Sequence, residues 1–265
     1  MIRFGMPTLI ETNGPEECAA LCGELGLDFI ELNMNMPQYQ PDKIDLAACK
    51  AIADAYGISY TVHLDENLNV SDFNPYVAAA YRRTVEETIA LASGLGISVI
   101  NMHLPRGVYF TLPGQKVYLF SVYREQYLKS IADFRTLCEQ AVGGAALRLC
   151  IENSDGFTDF QREALDMLLE SPVFGLTYDI GHNHGCGGLD EPYILAHKNR
   201  LRHMHMHDAA GAKNHLALGS GELDLKRYLA LAEERHCRVV LETKTIEGLK
   251  QSVHWLETAG CRDNP

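Results

Sequence analysis

Seven short apolar runs of this chain each close on a side chain able to ligate a metal or move a proton. FIEL carries Glu31, YTVHL His63, INMHL His103, RLCIEN Glu152, LTYDIGH Asp179 and His182, HMHMHD His205, and VVLETK Glu242. Singly, each has a plain structural reading: a strand-terminal acid often caps the next helix, and a buried histidine is usually hydrogen-bonded in the core. Jointly they imply chemistry. Glu152, Asp179 and Glu242 gathered on one rim would be costly to bury unpaired, and a divalent cation removes that cost. With the imidazole of His205 they form a hard, oxygen-rich set. It suits Mn²⁺ or Mg²⁺, tolerates Co²⁺ or Zn²⁺, and lacks the thiolates of a structural zinc site. Cys150, two residues before Glu152, is read as a packed hydrophobe.

The elements that must position these residues alternate regularly. Strands are expected near Ile2 to Met6, Phe29 to Leu32, Ser59 to Leu64, Ser98 to His103, Arg148 to Glu152, Gly175 to Asp179, Leu201 to His205 and Val239 to Glu242. Between them lie segments with apolar residues at three and four spacing, the longest near Tyr76 to Leu95 and Tyr123 to Ala141, and several stop at glycine. Eight βα units in 265 residues is about 33 residues each, close to the need of a (β/α)8 barrel of roughly 250 residues. The expected fold is therefore α/β, a single TIM-barrel domain over residues 1–265 with parallel strands, whose strand ends converge on one rim. A doubly wound open sheet is the runner-up, but FGMPTLIETNGP lacks the G-x-G-x-x-G turn that it wants after the first strand. Pro105 to Phe120 is the one irregular stretch and sits where a lid over the rim would be.

Composition narrows the function classes. The chain is 46% hydrophobic and 22% charged, an ordinary globular balance, with a formal charge of −12 that gives no support to a nucleic-acid groove or an anionic membrane surface. The N-terminal segment turns polar within ten residues and no apolar run is long enough to span a bilayer, so neither a signal peptide nor a membrane anchor is expected. Eight cysteines without a C-x-x-C pair fit reduced thiols and a cytoplasmic location.

Across Ile30 to Glu242, the segments GLDFIELN, YTVHLDENLNVSD, INMHLPRG, LCIENSDG, LTYDIGHNHG, MHMHDAAGAKNHLALGSGELD and VVLET resemble the xylose isomerase-like TIM barrels. That superfamily includes sugar and sugar-phosphate isomerases and epimerases together with apurinic endonucleases of family 2. The ketose 3-epimerase branch implies one divalent metal (Mn, Mg, Co or Zn) on Glu152, Asp179, His205 and Glu242, with the two glutamates as acid and base and His182 against substrate. Where that branch has an arginine six residues after the histidine ligand, this chain has Gly211, and Lys213 is the candidate to serve instead. The endonuclease branch resembles the chain at His63, His103, His182 and His215 as well. It needs an aspartate two positions before His215, where Lys213 stands, so a third metal is not expected. Barrels of this superfamily often pair through their helices, and a homodimer is compatible with the resemblance.

The chemistry implied is proton transfer next to a carbonyl. One of Glu152 and Glu242 would remove a proton alpha to the carbonyl of a small sugar, sugar phosphate or related ketose, and the other would return it. General base catalysis supplies about 10² to 10⁴ in rate where enzymes commonly reach 10⁶ or more, and the metal can provide a further factor by binding the oxygen that becomes an enediolate. Glu31, His63, His103, His182, Lys213 and His215 are the expected substrate contacts. Arg106 is a candidate for a substrate anion, and the backbone of LGSGELD for a phosphate. The alternatives are a dehydratase of the same superfamily and a zinc-dependent phosphodiesterase or amidohydrolase using His63, His103, His182 and His215. A metal-free binding barrel leaves the strand-end set unexplained.

Overall fold

Eight parallel strands pair in sequence order, and the eighth returns to the first to close a barrel, in a computed structural model that describes residues 2–262. The strands are Arg3–Pro7, Phe29–Asn33, Ser59–His63, Val99–His103, Arg148–Glu152, Phe174–Asp179, Leu201–Met206 and Arg238–Leu241. They match the expected set with shifts at the ends. Glu242 lies just beyond the last strand rather than inside it. Register carries the candidate residues to one level: Glu152 stands beside His103 on the fourth strand, and Asp179 beside His205 on the seventh.

Helices cover the barrel, and their ends follow local chemistry. Pro75–Leu95 starts where the Asn74 side chain accepts the Tyr76 N–H at 3.1 Å, and it stops at Gly96, whose φ of 67° a residue with a Cβ adopts only under strain. Asp159–Leu169 opens with a capping box between Thr158 and Gln161 and buries Phe160, Leu165 and Leu168 against the barrel. The main core lies between helices and strands, as where Phe134 of the helix Arg124–Val142 meets Phe174 of the sixth strand at a ring separation of 6.0 Å.

The stretch from Pro105 to Phe120 is not irregular throughout. Tyr109–Leu112 and Gln115–Tyr118 form an antiparallel hairpin turning at Pro113 and Gly114. It stands exposed, with Val108 60% and Phe110 58% accessible. A second hairpin, Asp208–Ala210 with Lys213–Leu216, follows the seventh strand, and a short helix, Ile180–Gly185, follows the sixth. All eight cysteines are unpaired, and burial pushes the Cys150 thiol up to about 12, consistent with packing. No helix among the described residues is long and apolar enough to cross a membrane.

Phe134 is fully buried, so Phe134→Ala is expected to cost about 3–5 kcal/mol. Urea unfolding measures this; a loss below about 1 kcal/mol would mean that the helix–barrel contact does not carry the fold.

Candidate active site

His205 is the centre of the C-terminal mouth of the barrel. Its Nδ1 lies 3.1 Å from Glu152 Oε1, 3.3 Å from Glu242 Oε2 and 3.9 Å from Asp179 Oδ2. One ligand atom from each of these four residues falls within 4.8 Å of the other three. Local structure aims them. Asn101 Nδ2 donates to Glu152 Oε2. Asn153 brackets the end of the sixth strand, accepting the Asp179 N–H and donating to the Asp179 carbonyl, both at 2.9 Å. Asp179 Oδ1 caps the short helix through the His182 N–H, which leaves Oδ2 facing the cluster.

The electrostatics ask for a cation. Burial alone would neutralise His205, yet Glu152, Glu31 and Glu242 outweigh it and hold the imidazolium well above its usual range. Burial alone would likewise raise Glu152, but His205 and His103 keep its carboxyl well below the usual carboxylate range. Glu242 is held low in the same way by His205 and Lys244. Glu242 Oε2 is buried without a hydrogen-bond partner. The donor set and this orphaned oxygen fit a divalent metal.

Glu31 departs from its expected role as a sugar contact. Standing two residues short of its strand's end, it is 2% exposed and faces His205 from the side away from the carboxylates, at 2.7 Å from Nε2. Its Oε2 also accepts from His203 Nε2 at 2.8 Å and from the Thr61 hydroxyl at 3.1 Å. The contact is an ion pair without hydrogen-bond geometry, since His205 Nε2 is buried with no hydrogen-bond partner, and Nδ1 is the atom turned toward the other three carboxylates.

Other histidines flank the cluster. His63 donates Nδ1–H to the Leu64 carbonyl at 2.6 Å and brings Nε2 to 3.3 Å from Glu152 Oε2; burial lowers it, but Glu152 raises it further, to about 9. His103 Nε2 lies 3.4 Å from the same oxygen. His182 Nδ1, buried and without a hydrogen-bond partner, lies 3.7 Å from Asp179 Oδ2. His215 approaches from the second hairpin, 3.2 Å from the Glu242 carbonyl, and burial pushes it down to about 4. The sequence reading missed His207. Its Nδ1 accepts the His215 N–H at 2.8 Å, so Nε2 carries the proton toward Asp179 at 3.2 Å. Gly181 makes this approach possible, because a Cβ there would lie 1.9 Å from the His207 ring.

A cavity of about 690 Å³ opens above, lined among others by Glu66, His103, Arg106, Asp155 and His182. Arg106 is not held free for an anion: its Nη2 donates to the carbonyls of Asp155 and Gly156. The LGSGELD backbone is also committed. The N–H groups of Gly219, Gly221 and Leu223 all bind the buried Asp208 carboxylate, at 2.8 to 3.2 Å, which excludes the expected phosphate there. Lys213 stands exposed on the second hairpin and is not brought to the cluster. Lys244, unremarked in the sequence, is the cation that meets Glu242, at 3.1 Å from Oε1.

The pattern of the xylose isomerase-like TIM barrels matches residues 19–259. The chain belongs to that family. No curated protein matches it in sequence. Among solved structures it is similar to a D-tagatose 3-epimerase-like protein, with 21% identity over 97% of this chain and 96% of that one and a TM-score of 0.76. A D-allulose 3-epimerase from Methylomonas sp., solved with D-allulose, has 16% identity over 98% and 97% and a TM-score of 0.73. A 3-keto-D-glucoside 4-epimerase from E. coli has 16% identity over 97% and 100% and a TM-score of 0.76. At these identities the likeness is one of fold, in agreement with the family assignment.

Two measurements test the site. Metal ligation needs neutral His205, whose pKa Glu152, Glu31 and Glu242 hold well above the usual range against the opposing effect of burial, so binding at pH 7 is expected to release about one proton and to weaken as pH falls. Titration calorimetry in buffers of different ionisation enthalpy reads this, and zero release would show His205 already neutral. Glu31→Gln is expected to weaken metal binding roughly 10- to 100-fold with the fold intact. Unchanged affinity would reduce Glu31 to a hydrogen-bond acceptor in the barrel interior.

Proposed function

We propose that this member of the xylose isomerase-like TIM barrel family is a divalent-metal-dependent epimerase or isomerase of a small sugar or related ketose. The observation that carries the reading is the convergence of Glu152 and Glu242 with Asp179 and His205 within 4.8 Å at the mouth of the barrel. The sugar epimerases among its structural relatives support it. A metal held by these four residues supplies Lewis-acid stabilisation of negative charge developing on substrate oxygens.

The chain's own residues then divide the work. Glu152, held as a carboxylate, takes the proton from the carbon alpha to the carbonyl, or returns it. Glu242 does the converse from the opposite face or at the adjacent carbon. His205 and, beyond it, Lys244 hold the Glu242 carboxyl below its usual range. His182, with Nδ1 buried and unpartnered, is available to a substrate hydroxyl, as are His103 and, from the second hairpin, His215. Arg106 is the one lysine or arginine among the cavity's described lining residues, and its Nη2 is committed to two carbonyls in a cavity that the acidic Glu66 and Asp155 also line. That environment favours a neutral polyol over a sugar phosphate.

One observation favours a second reading. His182, His207 and His215 also each have a nitrogen within 4.8 Å of the others, an arrangement suited to a second zinc and to hydrolysis once His207 Nε2 gives up the proton it directs at Asp179. Elemental analysis of protein purified without chelator separates the two: about one equivalent of Mn, Co, Mg or Zn per chain supports the epimerase reading, and two or more zinc ions favour the hydrolase.

Ketoses such as D-tagatose and D-allulose are the first substrates to screen. With any ketose that turns over, Glu152→Gln and Glu242→Gln are each expected to abolish incorporation of solvent deuterium into product, with loss of roughly 10²-fold or more in kcat. Full exchange in both variants would overturn the two-glutamate mechanism.

A further inference from the structure

The opposite mouth of the barrel, where the strands begin, carries the reverse charge. Arg148 and Arg238 open the fifth and eighth strands, Arg202 is the second residue of the seventh, and the three line one concavity of about 280 Å³ together with Ser98 and His236. Two backbone features aim them. Leu176 pairs with Leu201 and Thr177 with His203, so Arg202 is an extra, bulged residue with no partner on the sixth strand. Its side chain passes over Gly175, where an added Cβ would come within 3.3 Å of Arg202 Cγ. Arg238 lies with its Cζ 5.3 Å from the centre of the Phe29 ring and in register with Arg3.

These guanidinium groups are under-used. Arg148 spends Nη1 on the Leu147 carbonyl, Arg202 Nη1 on those of Asn199 and Leu201, and Arg238 Nη1 on the Ser59 hydroxyl. Among the described residues none of the three forms an ion pair with a carboxylate. Asp28, which acts on Arg238 through space, gives its Oδ2 to the Phe4 N–H. Burial and the neighbouring Arg3 press Arg238 below its usual range; burial, Arg202 and Arg148 do the same to Arg200. A chain of net charge −12 thus gathers arginines where they repel one another, and among the described residues Nε and Nη2 of Arg148, Arg202 and Arg238 have no acceptor.

We propose that this mouth is an anion site that takes a divalent oxyanion, inorganic phosphate or the phosphate group of a small ester, between Arg148, Arg202 and Arg238. Planar guanidinium forks match such oxygens in pairs. Arg148 and Glu152 begin and end one strand, about 13 Å apart at 3.3 Å per residue, so the anion does not touch the substrate of the catalytic mouth. It ties the first turns of three strands together and stabilises the closed barrel.

Sulfate is the probe, titrated calorimetrically into the protein as purified and followed in parallel by thermal unfolding, against sodium chloride at matched ionic strength. Saturable binding with a rise in Tm that chloride does not reproduce is expected, weakened about tenfold in each of Arg148→Gln, Arg202→Gln and Arg238→Gln. Arg148→Lys, which keeps the charge and loses the fork, is expected to fall between wild type and Arg148→Gln. No saturable binding to the wild type overturns the proposal, as does binding unchanged in all the variants. Tighter binding of phenyl phosphate than of inorganic phosphate assigns the site to an ester, and the reverse order to the free anion.

Discussion

Two buried carboxylates and a third, partly buried one gathered around one imidazole set the terms for the rest of this barrel. Like charges at such separations do not stay ionised in a closed interior without a positive partner. The protein meets this by surrounding the carboxylates with histidines, in an arrangement that fits a cation. The neighbouring architecture then reads as positioning. Asn101 and Asn153 fix the ends of the strands that carry the acids, the short helix after the sixth strand begins on Asp179, and Gly181 lets His207 reach that same carboxylate.

The interior below the cluster is polar for the same reason. Barrels of this type are commonly filled by layers of branched apolar side chains. Here Glu31, Thr61 and His203 are buried and joined by hydrogen bonds directly beneath the His205 imidazole. Burial keeps His203 neutral, while the charge sits on His205, which faces four acids in all. The apolar core is displaced to the layer between strands and helices, where Phe134 and Phe174 meet.

The barrel and its four central residues were legible because strand ends in a parallel barrel must share a rim, and apolar runs mark those ends. Depth along a strand was less legible. Glu31 has the look of a rim residue in FIELN, yet the strand continues to Asn33 and leaves it one layer down. His207 was overlooked although HMHMHD repeats histidine at every second position, the period that puts all three on one face. Loop chemistry was harder still. The glycines of LGSGELD do expose backbone N–H groups, but their anion is Asp208 of the same chain, eleven residues before Gly219. Lys244 lies past the last strand, in a segment whose path no periodicity specifies. The exposed hairpin hid because neither of its faces is buried, so the alternation that announces a strand was absent.

The Arg106 bonds have a mechanical consequence. One side chain at the foot of the exposed hairpin grips two successive carbonyls, those of Asp155 and Gly156, just beyond Glu152. Lifting the hairpin therefore either breaks both bonds at once or drags the 154–156 loop with it. The entrance of the cavity and the strand end that carries Glu152 are latched, and a movement that opens one is felt at the other.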